Sequence, residues 1–250
     1  MKPFNRVLIF CLFILPVAKI SAQDFVAQQR QEVFNAYRYD DTNRWEKARK
    51  ALYDQWVGNG RPTNELLLEL VITEYGLLSA CQQAGDCEDF DERLNRANQF
   101  VSRLKRSSTY RGLATSLEGG LIAQRINHEP WTGISLAASS FEKIQEGVEL
   151  APQRPEVWIE LGNFQAHAPS LFGGDKGGAM QSYQKAIALF EQQPTAQRNS
   201  WLYLHALASL GQLQDGEGDR YAARVTFEKA LRIAPGFKLV QHTLLPGLSR

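Results

Sequence analysis

The stretch ARVTFEKALRIAP, residues 223–235, decides the fold. It places a small residue at Ala223, a large apolar one four positions on at Phe227, and a small one three further at Ala230. Pro235 follows and ends the segment. Steps of three and four lie on one face of an α-helix, and proline cannot continue one. The same order recurs upstream. Ala179, Tyr183 and Ala186 precede Pro194, and Ser140, Ile144 and Gly147 precede Pro152. EKALRIAP (228–235) and QEGVELAP (145–152) show the match directly. A further helix begins at Pro155 and carries Trp158-x2-Leu161-Gly162. Small residues let two helix backbones approach closely, and the large residue between them fills the space left over.

Working outward, segments with helical periodicity cover the chain, and none shows sustained strand alternation. The spacing predicts helices over 24–38, 43–57, 63–82, 88–106, 108–127, 130–150, 155–167, 176–192, 197–211 and 219–233, with a short last one over 237–244. Short connections predict that successive helices pack as antiparallel pairs. The fold class is therefore all-α.

These residues resemble the tetratricopeptide repeat (TPR), a helix–turn–helix unit written W-x2-L-G-x2-Y…A-x3-F-x2-A-x4-P. The resemblance is good over 155–194 and 197–235 and degenerate over 108–152. It is faint over 24–107, where Ala97-x3-Val101-x2-Leu104 is the best echo. It implies an αα-hairpin solenoid, a right-handed superhelix with a concave face. The chain divides accordingly into a leader (1–22), degenerate hairpins (23–107) and TPR-like repeats with a short terminal helix (108–250). Two turns depart from the pattern by being enlarged, Ala168 to Lys176 and Gln214 to Asp219. The first, P-x2-F-G-G-D-K, is similar to loops of exported repeat proteins of Gram-negative bacteria.

The N-terminus fits export. A basic start with Lys2 and Arg6 leads into VLIFCLFILPVA (7–18), and Ile20-Ser21-Ala22 offers a small residue for cleavage before Gln23. That is the layout of a signal peptide. An uncleaved anchor is the competing reading, but twelve helical residues reach about 18 Å against the roughly 30 Å of a bilayer core. Taking the cations Lys2, Arg6 and Lys19 away from a net charge of +1 leaves −2. So balanced a charge argues against a nucleic-acid partner. The apolar run Leu66–Ala80 is broken by Glu69 and Glu74, so no stable membrane insertion is expected after cleavage. With the resemblance, these features point to the periplasm. In an oxidising compartment Cys81 and Cys87, at a short loop, are expected to form a disulfide.

No catalytic, metal or cofactor site is legible. GGDKGG (173–178) lacks the G-x4-G-K-[ST] order of a phosphate loop, and Asp175 reads as a helix cap with Phe172 packed down as an anchor. Asp215, Glu217 and Asp219 alternate like a calcium loop, but Arg220 and Thr226 stand where glycine and glutamate are required. Asp219 reads as a cap and Asp215-Gly216 as a turn. Gly133-Ile-Ser-Leu-Ala137 lacks the second glycine of a nucleophile elbow. His128, His167, His205 and His242 are scattered, and the five tryptophans sit at helical spacing and read mainly as core.

The remaining reading is a scaffold without catalysis that binds a protein or peptide. The alternative is a small-molecule or transporter-accessory role beside a periplasmic substrate-binding protein, which a deep apolar pocket would favour. The resemblance implies that the first helix of each pair lines the concave side. That stripe carries Glu156, Ile159, Asn163 and His167, and in the next repeat Leu202, His205 and Ser209. Asn163 and His167 can each donate and accept hydrogen bonds, which suits an extended backbone or a carboxylate.

Overall fold

A computed structural model describes residues 21–60, 62–85, 87–194 and 198–249. The expected leader, 1–22, lies outside these except for Ser21 and Ala22. Among the described residues the chain forms ten helices of 13 to 21 residues. They are α1 (Ala22–Tyr39), α2 (Thr42–Gly58), α3 (Asn64–Ala84), α4 (Phe90–Leu104), α5 (Arg111–His128), α6 (Gly133–Leu150), α7 (Pro155–His167), α8 (Lys176–Glu191), α9 (Trp201–Gly216) and α10 (Arg220–Ile233). Short 3-10 turns occupy Pro130–Thr132 and Ser170–Phe172, and a π-helical turn at Val240–Leu244 runs into Leu245–Gly247.

Side-chain caps set half of the helix starts. Backbone N–H groups left unpaired in a first turn are met by side-chain oxygens: Ser21 accepts from Asp24, Asp41 from Arg44, Thr63 from Leu66, and Asp219 from Ala222. Ser200 caps α9, so that helix starts later than 197. It also runs on to Gly216, which corrects the second enlarged turn. The extra residues extend the helix, and Asp215-Gly216 end it instead of forming the turn. Asp175 stands at the N-cap position of α8, but its side chain makes no capping bond there.

Consecutive helices pair as hairpins: α1 with α2, α3 with α4, α5 with α6, α7 with α8, α9 with α10. The repeated small and large residues meet as their spacing requires. A Cβ on Gly162 would lie 3.0 Å from the Tyr183 ring, and one on Gly119 2.7 Å from Ile144. Gly211 faces Phe227 in the same way. Ala179, Ala186, Ala223 and Ala230 are fully buried at the seams. The third hairpin therefore packs like the two whose motif is clear.

The first helices of the pairs touch in turn, α1 on α3, α3 on α5, α5 on α7 and α7 on α9, and α9 also reaches back to α1. The array curls until its ends meet. The concave side expected of the solenoid is filled by the inner helices. Residues 66–78 of α3 are all buried, which accounts for the apolar run there: a helix apolar on every side sits at the centre of a core. No described helix is long and apolar enough to cross a membrane. Trp45 and Trp201 belong to this core, whereas Trp131 stands out into solvent, contrary to the core reading.

Cys81, near the end of α3, is disulfide-bonded to Cys87 across the turn leading to α4, with the Cα atoms 4.9 Å apart. Closing so short a loop limits the unfolded chain and contributes about 2 kcal/mol in the chain-entropy account. A Cys81→Ser/Cys87→Ser variant should lose about that much stability in urea unfolding. Equal midpoints for variant and wild type would contradict it.

Candidate functional site

The residues that gather polar chemistry lie where inner helices α3, α5, α7 and α9 converge, with α8 packed behind α7 and α9. Helix α7 starts with Pro155 at its first position, which suits a turn whose N–H groups lack helical partners. Arg154, just before it, grips Glu156 through two nitrogens, at 3.2 and 2.9 Å. One turn further, Glu160 points inward and is only 2% exposed. The Tyr75 hydroxyl of α3 donates to its Oε2 at 2.9 Å. Room for that carboxyl comes from Gly120 of α5: a side chain there would run into Glu160 and Tyr75. Amides of Gln124 and Asn163 face the same hydroxyl.

Asn163 joins this pair to the neighbouring repeat. Its Oδ1 accepts from the Tyr183 hydroxyl at 2.7 Å and lies 2.8 Å from His205 Nε2. An amide oxygen has two lone pairs, so both contacts are hydrogen bonds when His205 carries its proton on Nε2. Next along α5, Gln124 donates to Ser79 at 2.6 Å and accepts from Gln82 at 2.8 Å. Towards the other end of the inner surface, Arg30 of α1 pairs with the buried Glu69 of α3 at 2.8 Å.

Burial governs the charge states. Desolvation pushes the Glu160 carboxyl up to about 8, against the opposing effect of the Tyr75 hydrogen bond. Desolvation pushes the His205 imidazole down to about 4, and nearby His167 adds to it. At neutral pH both groups are mainly uncharged. The cluster is thus a set of neutral hydrogen-bonding groups, suited to holding helices or polar backbone together. Among the described residues no group of three or more His, Cys, Asp or Glu side chains could hold a metal ion.

The stripe expected to line the groove is divided by the structure. Asn163 and His205 come together, half-buried, and His167 is exposed nearby on α7. Ser209 is half-buried on α9. Ile159 and Leu202 are buried in the core. Glu156 is buried and held by Arg154. The register explains part of this. Gly211 packs on Phe227 as Gly162 packs on Tyr183, which aligns His205 with Glu156 and leaves Leu202 and Ser209 off the matching stripe. Sequence reasoning missed Glu160, Tyr75, Tyr183 and Gln124 as members. A signal for Glu160 was available: it is a carboxylate two residues before the motif glycine, with Trp158, Ile159 and Leu161 around it.

A surface feature lies apart from this interior. Trp131, Ile134 and Leu171 are 76%, 85% and 88% exposed. Trp131 belongs to the 3-10 turn opening α6, Ile134 to the first turn of α6, and Leu171 to the 3-10 turn that packs against α6. Below, Phe141 stacks on Phe164 at 4.9 Å and touches Gly173, whose φ of +99° favours glycine. Phe172 is half-buried in the same loop. The enlarged 168–175 connection is therefore ordered: Gly174 N–H donates to the Pro169 carbonyl and Asp175 N–H to that of Gln165.

No protein-family model matches this chain. No curated protein matches it either. Among solved structures it is similar to TTC0263, a thermophilic TPR protein of Thermus thermophilus. The identity is 14% and the TM-score 0.58, over 90% of this chain and 100% of the other. Together with the hairpin packing, that likeness makes the fold TPR-like.

Proposed function

We propose that this chain is an exported, non-catalytic TPR-like scaffold that binds a protein or peptide partner in the cell envelope, with the periplasm as its compartment. The exposed Trp131, Ile134 and Leu171 carry the reading. Isolated exposed apolar residues are ordinary, but we read two at the start of α6 and a third on the turn packed against that helix as an interaction surface. Export is supported by the signal-like start of the sequence and by the Cys81–Cys87 bond, which suits an oxidising compartment. The degenerate hairpins of 23–107 serve in this reading to close the array, and the repeats of 108–250 carry the contact edge. Exposed His167 and half-buried Ser209 are the groove residues left able to join it.

A small-molecule role has less support. The hollow lined by Ser108, Thr109, Arg111, Gly112 and Leu150 is open and about 220 Å3. A second, of about 250 Å3, lies between α8, α9 and α10. Neither is the deep apolar pocket that such a role calls for.

The test is a paired capture from native envelopes by tagged wild type and by the Trp131→Ser/Leu171→Ser variant. These side chains are solvent-exposed, so the variant's melting temperature should stay within about 2 °C of wild type. The partner identified with wild type should be lost with the variant. The same partner held equally by both would remove this edge from the reading.

A further inference from the structure

The ring of inner helices is closed at one place by parts of the chain far apart in sequence. Tyr37 of α1 wedges there, its ring 5.3 Å from Trp201 and 5.4 Å from Phe237. Asn199 donates to Gln31 at 2.7 Å, and Arg38 donates to the Pro235 carbonyl. Among the described residues no backbone–backbone hydrogen bond crosses this seam. It is held by side chains.

Those side chains leave polar atoms unmatched. Trp45 Nε1, Trp201 Nε1, Thr73 Oγ1 and Arg38 Nε are buried with no hydrogen-bond partner in the protein. Trp45 and Trp201 meet at 5.3 Å, and Thr73 lies one turn before Gly76, whose surface receives both indoles. Buried donors are almost always paired. Unpaired atoms also occur at Trp56, Glu74, Arg93, Ser116 and Arg198, but two unpaired indole N–H groups meeting in one contact need an explanation. Opening the contact would give each of them water, while the apolar rings would lose burial. The two effects oppose, which is the condition for a contact that forms and parts. Behind the seam lie polar inner side chains, among them Glu69, Tyr75, Glu160 and Asn163, where a core sealed permanently would be apolar. Each hairpin has its own internal packing, so the array can relax its curvature without unfolding any hairpin, giving up contacts across the middle such as Tyr75–Glu160.

We propose that the α1–α2 hairpin is a clasp. Docked on α9 it is a self-blocking contact that covers the inner face of the array; undocked, with α1–α2 still packed on α3–α4, it exposes that face. Tyr37 is the wedge that holds the docked state, and Gln31–Asn199 is the latch beside it. The opening is a property of the free chain. It does not depend on the edge proposed above for a partner.

Spin labels at two exposed sites, Lys50→Cys on α2 and Arg224→Cys on α10, measure the separation of the two ends by pulsed electron resonance, with Cys81–Cys87 kept oxidised. Two separations are expected: a short one matching the docked state and a longer one. Tyr37→Ala should raise the longer population at least about threefold. A short bismaleimide joining Gln31→Cys to Asn199→Cys in unlabelled protein should protect Trp45 and Trp201 from acrylamide quenching relative to the unlinked protein. A single short separation in both wild type and Tyr37→Ala, with quenching unchanged by the crosslink, overturns the clasp. No partner enters these measurements, so a seam that opens without any partner being found would count against the proposed function alone.

Discussion

Gly76→Ala is expected to destabilise the protein by about 3 kcal/mol, although the substitution improves helix propensity. In an exposed helix interior, alanine is favoured over glycine by about 1 kcal/mol. Gly76 is instead at the centre of α3, with the six-membered edges of Trp45 and Trp201 packed on its Cα. An added Cβ would stand 2.6 Å from Trp45 Cη2, closer than carbon atoms can rest, and 3.0 Å from Trp201 Cζ2, a contact that must yield by a few tenths of an ångström. In the docked array neither indole can step aside. Trp45 is locked by Trp201 and by the edge of Tyr37 at 6.1 Å, and Trp201 by Tyr37 and His205. The overpacking term therefore outweighs the propensity gain. Urea unfolding of the variant should show a lower midpoint, with the loss in Trp fluorescence change reporting the displaced rings. A midpoint equal to or above wild type would mean that the indoles do not pack on α3 as described.

What could be read from sequence alone, and what could not, follows from the range of each interaction. Gly162, Tyr183 and Ala186 act within the α7–α8 hairpin, and Phe227 and Ala230 within α9–α10, so their spacing carries the fold and both hairpins form where the motif predicts. Export, by contrast, is read from residues 1–22 and stays a proposal. The closing of the ring has no local signature. It depends on pairs such as Gln31 and Asn199, 168 positions apart, and on Tyr37 meeting Trp201. Open and closed arrays share the same periodicity, because each hairpin is unchanged between them. Burial of Ile159 was lost for the same reason: a stripe that faces solvent in an open array becomes core when the array curls, whereas Leu202 lies off that stripe in the observed register. Trp131 erred in the other direction. Its position after Pro130 at a helix start was legible, but a residue in the turn between a pair's two helices can project past both, and composition says nothing of that.

Glu160→Gln should stabilise the protein at neutral pH and flatten its stability on the alkaline side. Glu160 titrates near 4.5 when unfolded and is pushed up to about 8 by burial when folded. The folded state thus holds this proton more tightly than the unfolded one. Its contribution is fully present below pH 4.5 and is lost as pH rises through 8. At pH 7 the loss is about 3 kcal/mol, taken as 1.36 kcal/mol for each pH unit above 4.5. Glutamine keeps an oxygen to accept from Tyr75 and keeps the volume beside Gly120, but has no proton to lose. His205 acts with the opposite sign: pushed down to about 4 by burial, it contributes stability above pH 6.5 that is lost as pH falls through 4. Other carboxyls add to the total profile, with Glu69 and Glu74 raised by burial and Glu118 lowered by its lysine partners. The difference between wild type and Glu160→Gln cancels them. Urea midpoints of the two proteins from pH 4 to pH 9 should nearly coincide at the acid end and separate steadily above pH 4.5, with the variant higher. Parallel curves would show that Glu160 ionises as freely in the fold as in water, and that the Tyr75–Glu160–Asn163 cluster is wetter than its packing implies.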